Sequence, residues 1–203
     1  MKFEWNNIYL INMDEHTDRL ELTKKEFETA GIKNYTRFSG VKYNDGKTTQ
    51  DRIIGCKLSH INIIKEAKKQ NLEYVIILED DIQFNPQWQT YIPNIKNFVE
   101  NNEWNLFYFG GSHFKDNANR KLISDRIFQV STTYTTHAYM CHSNTYDFYL
   151  SLEDTMHPID NILVDNIQKK GKSYCIHPNI IWQRTGISYI QNAHRDYSWI
   201  KRT

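Results

Sequence analysis

Tyr74-Val-Ile-Ile-Leu-Glu-Asp-Asp-Ile-Gln83 runs five apolar or aromatic β-formers straight into three consecutive carboxylates. A short unbroken apolar run, unlike an alternating one, marks a strand buried on both faces, and such strands belong to parallel sheets covered by helices. An α/β fold follows. In open α/β sheets the ligand crevice lies beyond the carboxyl ends of the strands, which is where Glu79, Asp80 and Asp81 fall. Three adjacent acids cannot all stay ionised at a partly desolvated site without a compensating positive charge, and a divalent cation bound through oxygen is the usual one. A metal and diphosphate site is one reading. A solvated strand end whose aspartates cap a helix near Pro86 is the other, and this stretch alone leaves both open.

The chain has 203 residues, enough for one domain, 1–203, with a sizeable core. Hydrophobic residues make up 39% and aromatics 14%, so a packed interior is expected, while a formal charge of +1 lacks the basic excess of a nucleic-acid binder. No window approaches the run of about 18 apolar residues that a membrane span needs, and Met1-Lys-Phe-Glu-Trp-Asn-Asn7 lacks the apolar core of a signal peptide. A soluble, cytoplasmic chain is expected, with peripheral membrane association still compatible. Cys56, Cys141 and Cys175 are odd in number and widely spaced, and they read as core residues rather than disulfides or zinc ligands.

Along the chain, Asn7–Asn12 reads as a first strand, followed by a helix from Thr17 to Ala30 that Gly31 ends. Arg19 then falls in the first helical turn, where a cation opposes the helix dipole, so it either meets an anion near the strand end or pairs with Asp14 or Glu15. Tyr35–Val41 is a second strand, Tyr43–Gln50 a loop, and Ile53–Ala67 a helix with Leu58, Ile61, Ile64 and Ala67 in one stripe. Ser59 and His60 sit early in that helix. The segment 86–101 looks helical but should be kinked or divided by Pro93. Trp104–Gly111 is another buried strand, 113–126 a polar loop that could cover a site, and Ile127–Ser131 and Thr135–Cys141 are two more strands. Ser143 is a candidate cap for a helix 143–153, and 159–170 is a helix stopped by Gly171, with Asp160 at its start as an N-cap or a functional acid.

Several blocks now point the same way: Ile11-Asn12 with Arg19, Ile54-Gly-Cys-Lys-Leu-Ser-His60, Leu78-Glu-Asp-Asp81, Trp104-Asn-Leu-Phe-Tyr-Phe-Gly110, Thr136-His-Ala-Tyr139, Pro158-Ile-Asp160, and Pro178 with Gln183 and Ser188. In this order and spacing the chain resembles the family 25 glycosyltransferases, which include bacterial lipopolysaccharide galactosyltransferases and the galactosyltransferase domains acting on collagen. The resemblance implies a GT-A type α/β sandwich with a mixed, mainly parallel sheet. It also implies inverting transfer of a hexose, chiefly galactose, from a UDP-sugar to a hydroxyl of a glycan, lipid-linked glycan or protein. On the same likeness Asp81 coordinates Mn2+ (or Mg2+), with Glu79 or Asp80 helping through water or at the donor's ribose. Asn12, Arg19, Ser59 and His60 border the nucleotide, and Gln183 completes the metal or diphosphate shell. Inversion in one displacement needs a base facing the acceptor hydroxyl. Asp160 is the expected base, with Glu153 and Asp154 next in line.

Three other assignments compete. UDP-glucose is a second donor, a nucleotide- or glycan-binding protein without catalysis is a second class, and a sugar nucleotidyltransferase is a third. The intact acid triplet opposes the second. The glycine-free stretch from Asn12 to Arg19 opposes the third, which would need a glycine-rich phosphate loop.

Overall fold

The computed structural model describes residues 1–113 and 121–202. The chain opens with β1 (Ile8–Asn12), α1 (Thr17–Ala30), β2 (Thr36–Ser39), α2 (Thr49–Lys69), β3 (Tyr74–Glu79) and β4 (Ile82–Phe84). It continues through α3 (Ile92–Asn101), β5 (Leu106–Ser112), β6 (Lys121–Ser124), β7 (Ile127–Gln129) and β8 (Tyr134–His142). The last elements are α4 (Tyr146–Leu150), α5 (Ile159–Asn166), β9 (Ser173–Ile176), β10 (Ile181–Gln183), β11 (Gly186–Ser188) and β12 (Ala193–Arg195).

Eight strands form one sheet in the order β2-β1-β3-β8-β5-β9-β7-β6. β1 pairs in parallel with β2 and β3, and β5 with β9, whereas β8 is antiparallel to both β3 and β5. β7 and β6 extend the far edge in antiparallel fashion, so six of the eight strands run one way and β8 and β7 run the other. This is the mixed, mainly parallel sheet that the sequence implies.

β3 shows why the run from Tyr74 to Leu78 is apolar throughout. Ile76 and Leu78 face a core built with Phe27 of α1 and Ile95, Phe98 and Val99 of α3. Val75 and Ile77 face the opposite core, which holds Ile61, Ile64 and Ala67 of α2 and Ile162 and Leu163 of α5. Successive side chains point to opposite faces of a strand, so a sheet layered by helices on both sides needs an apolar residue at every position. Each fully buried aliphatic side chain here contributes roughly 1.5–3 kcal/mol by leaving water.

The boundaries depart from expectation for identifiable reasons. α2 starts at Thr49, four residues before the expected Ile53, because Thr48 and Asp51 form a reciprocal capping box. Pro93 divides its segment: a 3-10 turn covers Trp88–Tyr91, and α3 begins with the proline in its first turn, where no amide hydrogen is needed. Ser143 is not a cap. The imidazole of His142 accepts from the Asn144 amide, a 3-10 turn spans Ser143–Thr145, and α4 is short. The helix expected over 159–170 stops at Asn166 and ends in a 3-10 turn that Gly171 closes with φ 87°. The polar loop expected over 113–126 lies partly outside the described residues, and 121–124 is β6.

Candidate active site

Asn12 ends β1 and Glu79 ends β3, so the parallel pairing of these strands brings both to the same edge of the sheet. β8 runs the opposite way, and its first residues, Thr135 to His137, arrive at that edge too. α2 passes beneath with Cys56, Ser59 and His60, and α5 begins beside it with Asp160. The space between them is a cleft of about 360 Å³. All nine of the residues singled out from the sequence, Asn12, Arg19, Ser59, His60, Glu79, Asp80, Asp81, Asp160 and Gln183, line it.

The three carboxylates are unequal. Asp80 is almost buried, at 6% exposed, and is held by the Asn12 amide at 2.7 Å and by the Arg19 guanidinium at 2.5 Å. Burial pushes its pKa up to about 6, with Arg19 opposing, and these direct contacts keep it ionised at neutral pH. Its backbone carbonyl accepts a hydrogen bond from Thr23 of α1 at 2.7 Å, which docks the helix onto the strand end. Asp81 lies 3.1 Å from the same guanidinium and accepts from the Gln183 amide at 3.0 Å. Burial raises its pKa against the pull of Arg19. The anion that Arg19 meets is therefore this pair of aspartates, and not Asp14 or Glu15.

Glu79 accepts from the Thr136 hydroxyl at 3.1 Å and lies 3.5 Å from His60 Nε2. Burial acts to raise its pKa, but His60 more than offsets this and the carboxyl lies below its usual range. His137 is also buried, its ring against the Thr135 hydroxyl and the Ile181 carbonyl, and burial lowers its pKa, so it adds no compensating charge at neutral pH. Three carboxylates against one guanidinium leave two negative charges, the amount one divalent cation balances. Two polar atoms beside them, Asp81 Oδ1 and Gln183 Oε1, are buried without a hydrogen-bond partner. Oxygen donors left unsatisfied in an over-negative cluster are what a hard cation such as Mn2+ or Mg2+ requires, so the residues fit such an ion.

Asp160 is not the N-cap of α5. Pro158 holds that position without a side-chain cap, and Asp160 is the second helical residue. Its carboxylate accepts from the Asn161 amide at 2.8 Å and from the Thr135 amide at 3.4 Å. Thr135 has φ 66°, an unfavourable backbone angle for a β-branched residue, and such outliers concentrate at functional sites. Burial raises the pKa of Asp160 against these hydrogen bonds. Ser59 is spent structurally: its hydroxyl donates to Gly55 O and accepts from the Val41 amide, each at 2.8 Å.

Gly55 explains how α2 comes so close. A Cβ at this position would lie 2.3 Å from the Val41 carbonyl oxygen, so only glycine lets the helix press against the segment after β2. Two residues later Lys57 is fully buried, and its ammonium donates to the carbonyls of Leu152, Glu153 and Thr155. It ties α2 to the segment that leads into α5.

Sequence reasoning missed Thr23 and Thr136 as partners of the acids, because hydroxyl contacts between elements distant in sequence leave no local pattern. It also placed all three cysteines in the core. Cys141 and Cys175 are fully buried, but Cys56 lines the cleft. Tyr189 and Tyr197 line it from the C-terminal segment, with the Tyr189 ring edge-on to His16 at 5.1 Å.

Comparison with known proteins places the family and the fold. The sequence model of the family described as Glycosyltransferase family 25 (LPS biosynthesis protein) matches residues 5–163, which is 159 of the 203 residues. A "Glycosyltransferase 25 family member" of Drosophila melanogaster is 24% identical over 206 positions, covering 89% of this chain and 32% of that protein. "Procollagen galactosyltransferase 1-B" of Xenopus laevis is 29% identical over 133 positions, covering 54% of this chain and 22% of that one. The chain thus spans no more than about a third of either relative's length. Among solved structures, a glycosyltransferase involved in the glycosylation of the major capsid of PBCV-1 superposes with a TM-score of 0.53 at 12% identity, covering 91% of this chain and 95% of that one. At that identity the likeness concerns the fold, and it agrees with the GT-A type sandwich expected from the sequence.

Proposed function

The chain belongs to glycosyltransferase family 25, and from that premise we propose that residues 1–203 act as one domain transferring a hexose from a UDP-sugar to a hydroxyl of a glycan or glycoconjugate. Galactose is the proposed sugar, with inversion at its anomeric carbon. The observation that carries this reading is the cluster Glu79, Asp80 and Asp81. It is short of two positive charges after Arg19 is counted, and its unpartnered oxygens border the cleft.

In this reading Asp81 holds Mn2+ or Mg2+, with Glu79 as a helper and Gln183 Oε1 completing the shell. The bound cation would neutralise the charge developing on the departing nucleoside diphosphate. Arg19 and Asn12 keep Asp80 ionised and fixed, which holds the end of β3 in place while a doubly charged group enters and leaves. The imidazole of His60 orients Glu79 from beneath. Asp160 accepts the proton of the acceptor hydroxyl, and its raised pKa makes it a stronger base than an ordinary aspartate. The Thr135 and Asn161 amides point its carboxylate while leaving it lone pairs for that proton.

A panel of UDP-sugars incubated with the protein and Mn2+ tests the reading. UDP-galactose should release UDP slowly by hydrolysis, and faster when an acceptor is supplied. Release from UDP-glucose instead would correct the donor, and release from no UDP-sugar would favour binding without catalysis.

A further inference from the structure

Cys56 and His60 stand one turn apart, four residues along α2, and Glu79 ends β3 opposite them. Their sulfur, ring nitrogen and carboxylate oxygen all lie within 4.8 Å of one another. We propose that these three side chains form a cation site separate from the one centred on Asp81, and that it selects a thiophilic divalent ion, Zn2+ over Mn2+ or Mg2+.

Four observations carry the assignment. First, His60 is fully buried, and its Nε2 has no hydrogen-bond partner although it faces Glu79 at 3.5 Å. A buried imidazole nitrogen without a partner is costly, and a metal ion is one of the few groups that satisfies it. Second, that 3.5 Å separation matches two ligands of one tetrahedral ion, since bonds of about 2.0–2.3 Å place neighbouring ligands roughly 3.5 Å apart.

Third, the other ring nitrogen, Nδ1, lies 3.1 Å from the Tyr139 hydroxyl. A metal bound at Nε2 requires the tautomer in which Nδ1–H donates to that oxygen, which is the outer-shell arrangement that fixes metal-ligating histidines. Fourth, the ligand set is one sulfur, one nitrogen and one oxygen, with the remaining position opening on the cleft that all three residues line. Sulfur and imidazole favour Zn2+ over the oxygen-seeking Mn2+ and Mg2+, and three protein ligands with one open position are typical of reactive zinc.

Binding exchanges one proton. The S–H bond breaks as the S–metal bond forms and the proton leaves to solvent. No electron is transferred. The site shares Glu79 with the cluster proposed for the donor, but it needs neither Asp81 nor a UDP-sugar.

The test uses Co2+ as a spectroscopic stand-in added to the full chain without nucleotide. One equivalent should produce a thiolate-to-cobalt charge-transfer band in the near ultraviolet and the visible bands of a four-coordinate ion, and Zn2+ should abolish both. Cys56→Ser should remove the charge-transfer band, His60→Gln should weaken binding by at least about tenfold, and Asp81→Ala should leave the band intact. Absence of the band, its survival in Cys56→Ser, or its loss in a folded Asp81→Ala variant would overturn the proposal. Should Cys56→Ser fail to fold, alkylation of the unaltered protein decides: Zn2+ should protect Cys56 from iodoacetamide, and an unchanged modification rate at Cys56 would overturn the site equally.

Discussion

Asp160 carries two opposed demands in one carboxyl group. Its pKa is raised in the folded chain, chiefly by burial, so the folded state binds the proton more tightly than the unfolded state does. The stability it contributes is therefore fully present below the unfolded pKa and is lost as the pH rises through the folded value. As the proposed base it would work only above that value. Asp160→Asn should lower transfer by about 10²- to 10⁴-fold while leaving UDP affinity near that of the unaltered protein and raising Tm at neutral pH. The pH–rate profile of the unaltered enzyme should fall on the acid side, with a midpoint above that of an ordinary aspartate. Rates in Asp160→Asn near those of the unaltered protein would move the base elsewhere. Arg19 makes the complementary case. Arg19→Met strands Asp80 as a buried charge and should destabilise the fold by on the order of 3 kcal/mol at pH 7.5. Because Asp80 already titrates near 6, protonation relieves that penalty, so the loss measured by denaturant titration should shrink as the pH is lowered through that region. An equal loss at pH 5 would contradict this account of the pair. At this scale the sequence was legible in where Glu79, Asp80 and Asp81 fall, at a strand end that lines the cleft. The anion for Arg19 was not, because choosing Asp80 and Asp81 over the local Asp14 and Glu15 depends on how α1 docks through Thr23.

Elements place these residues, and α2 does most of it. Gly55→Ala puts a methyl group 2.3 Å from the Val41 carbonyl oxygen and should cost about 1–3 kcal/mol as the helix shifts outward. Urea denaturation measures it, and a neutral result would mean the contact relaxes freely. Lys57→Met removes a buried ammonium that satisfies three carbonyls in the segment leading into α5. Leaving those acceptors unpaired should cost roughly 1–3 kcal/mol, and it should lower kcat more than donor affinity, since the segment positions Asp160 and not the acidic triplet. Strands β1, β3 and β5 were readable from unbroken apolar runs, and α1 and α2 from their periodicity. Other boundaries were hidden in longer-range causes. The pairing of β4 with β10 joins segments about a hundred residues apart, and each has only three residues, too few to show a period. The capping box at Thr48 and Asp51 was a local signal, and it accounts for the early start of α2.

For the molecule as a whole, the order of strands determines why one edge carries the chemistry. β1 and β3 end there, β8 begins there, and helices α2 and α5 bring an imidazole and a carboxylate to the same cleft. The antiparallel insertion of β8 between parallel strands was visible only as a more alternating pattern in Thr135–Cys141, and its contribution of Thr136 to Glu79 follows from register, which sequence does not give. The central claim is that the cluster at the end of β3 is incomplete without a divalent cation. Isothermal titration of UDP in the presence and absence of Mn2+, for the unaltered chain and for Asp81→Ala, tests it most directly. The account predicts Mn2+-dependent UDP binding that vanishes in a variant still folded by circular dichroism, whereas metal-dependent binding that survives the loss of Asp81 would contradict it.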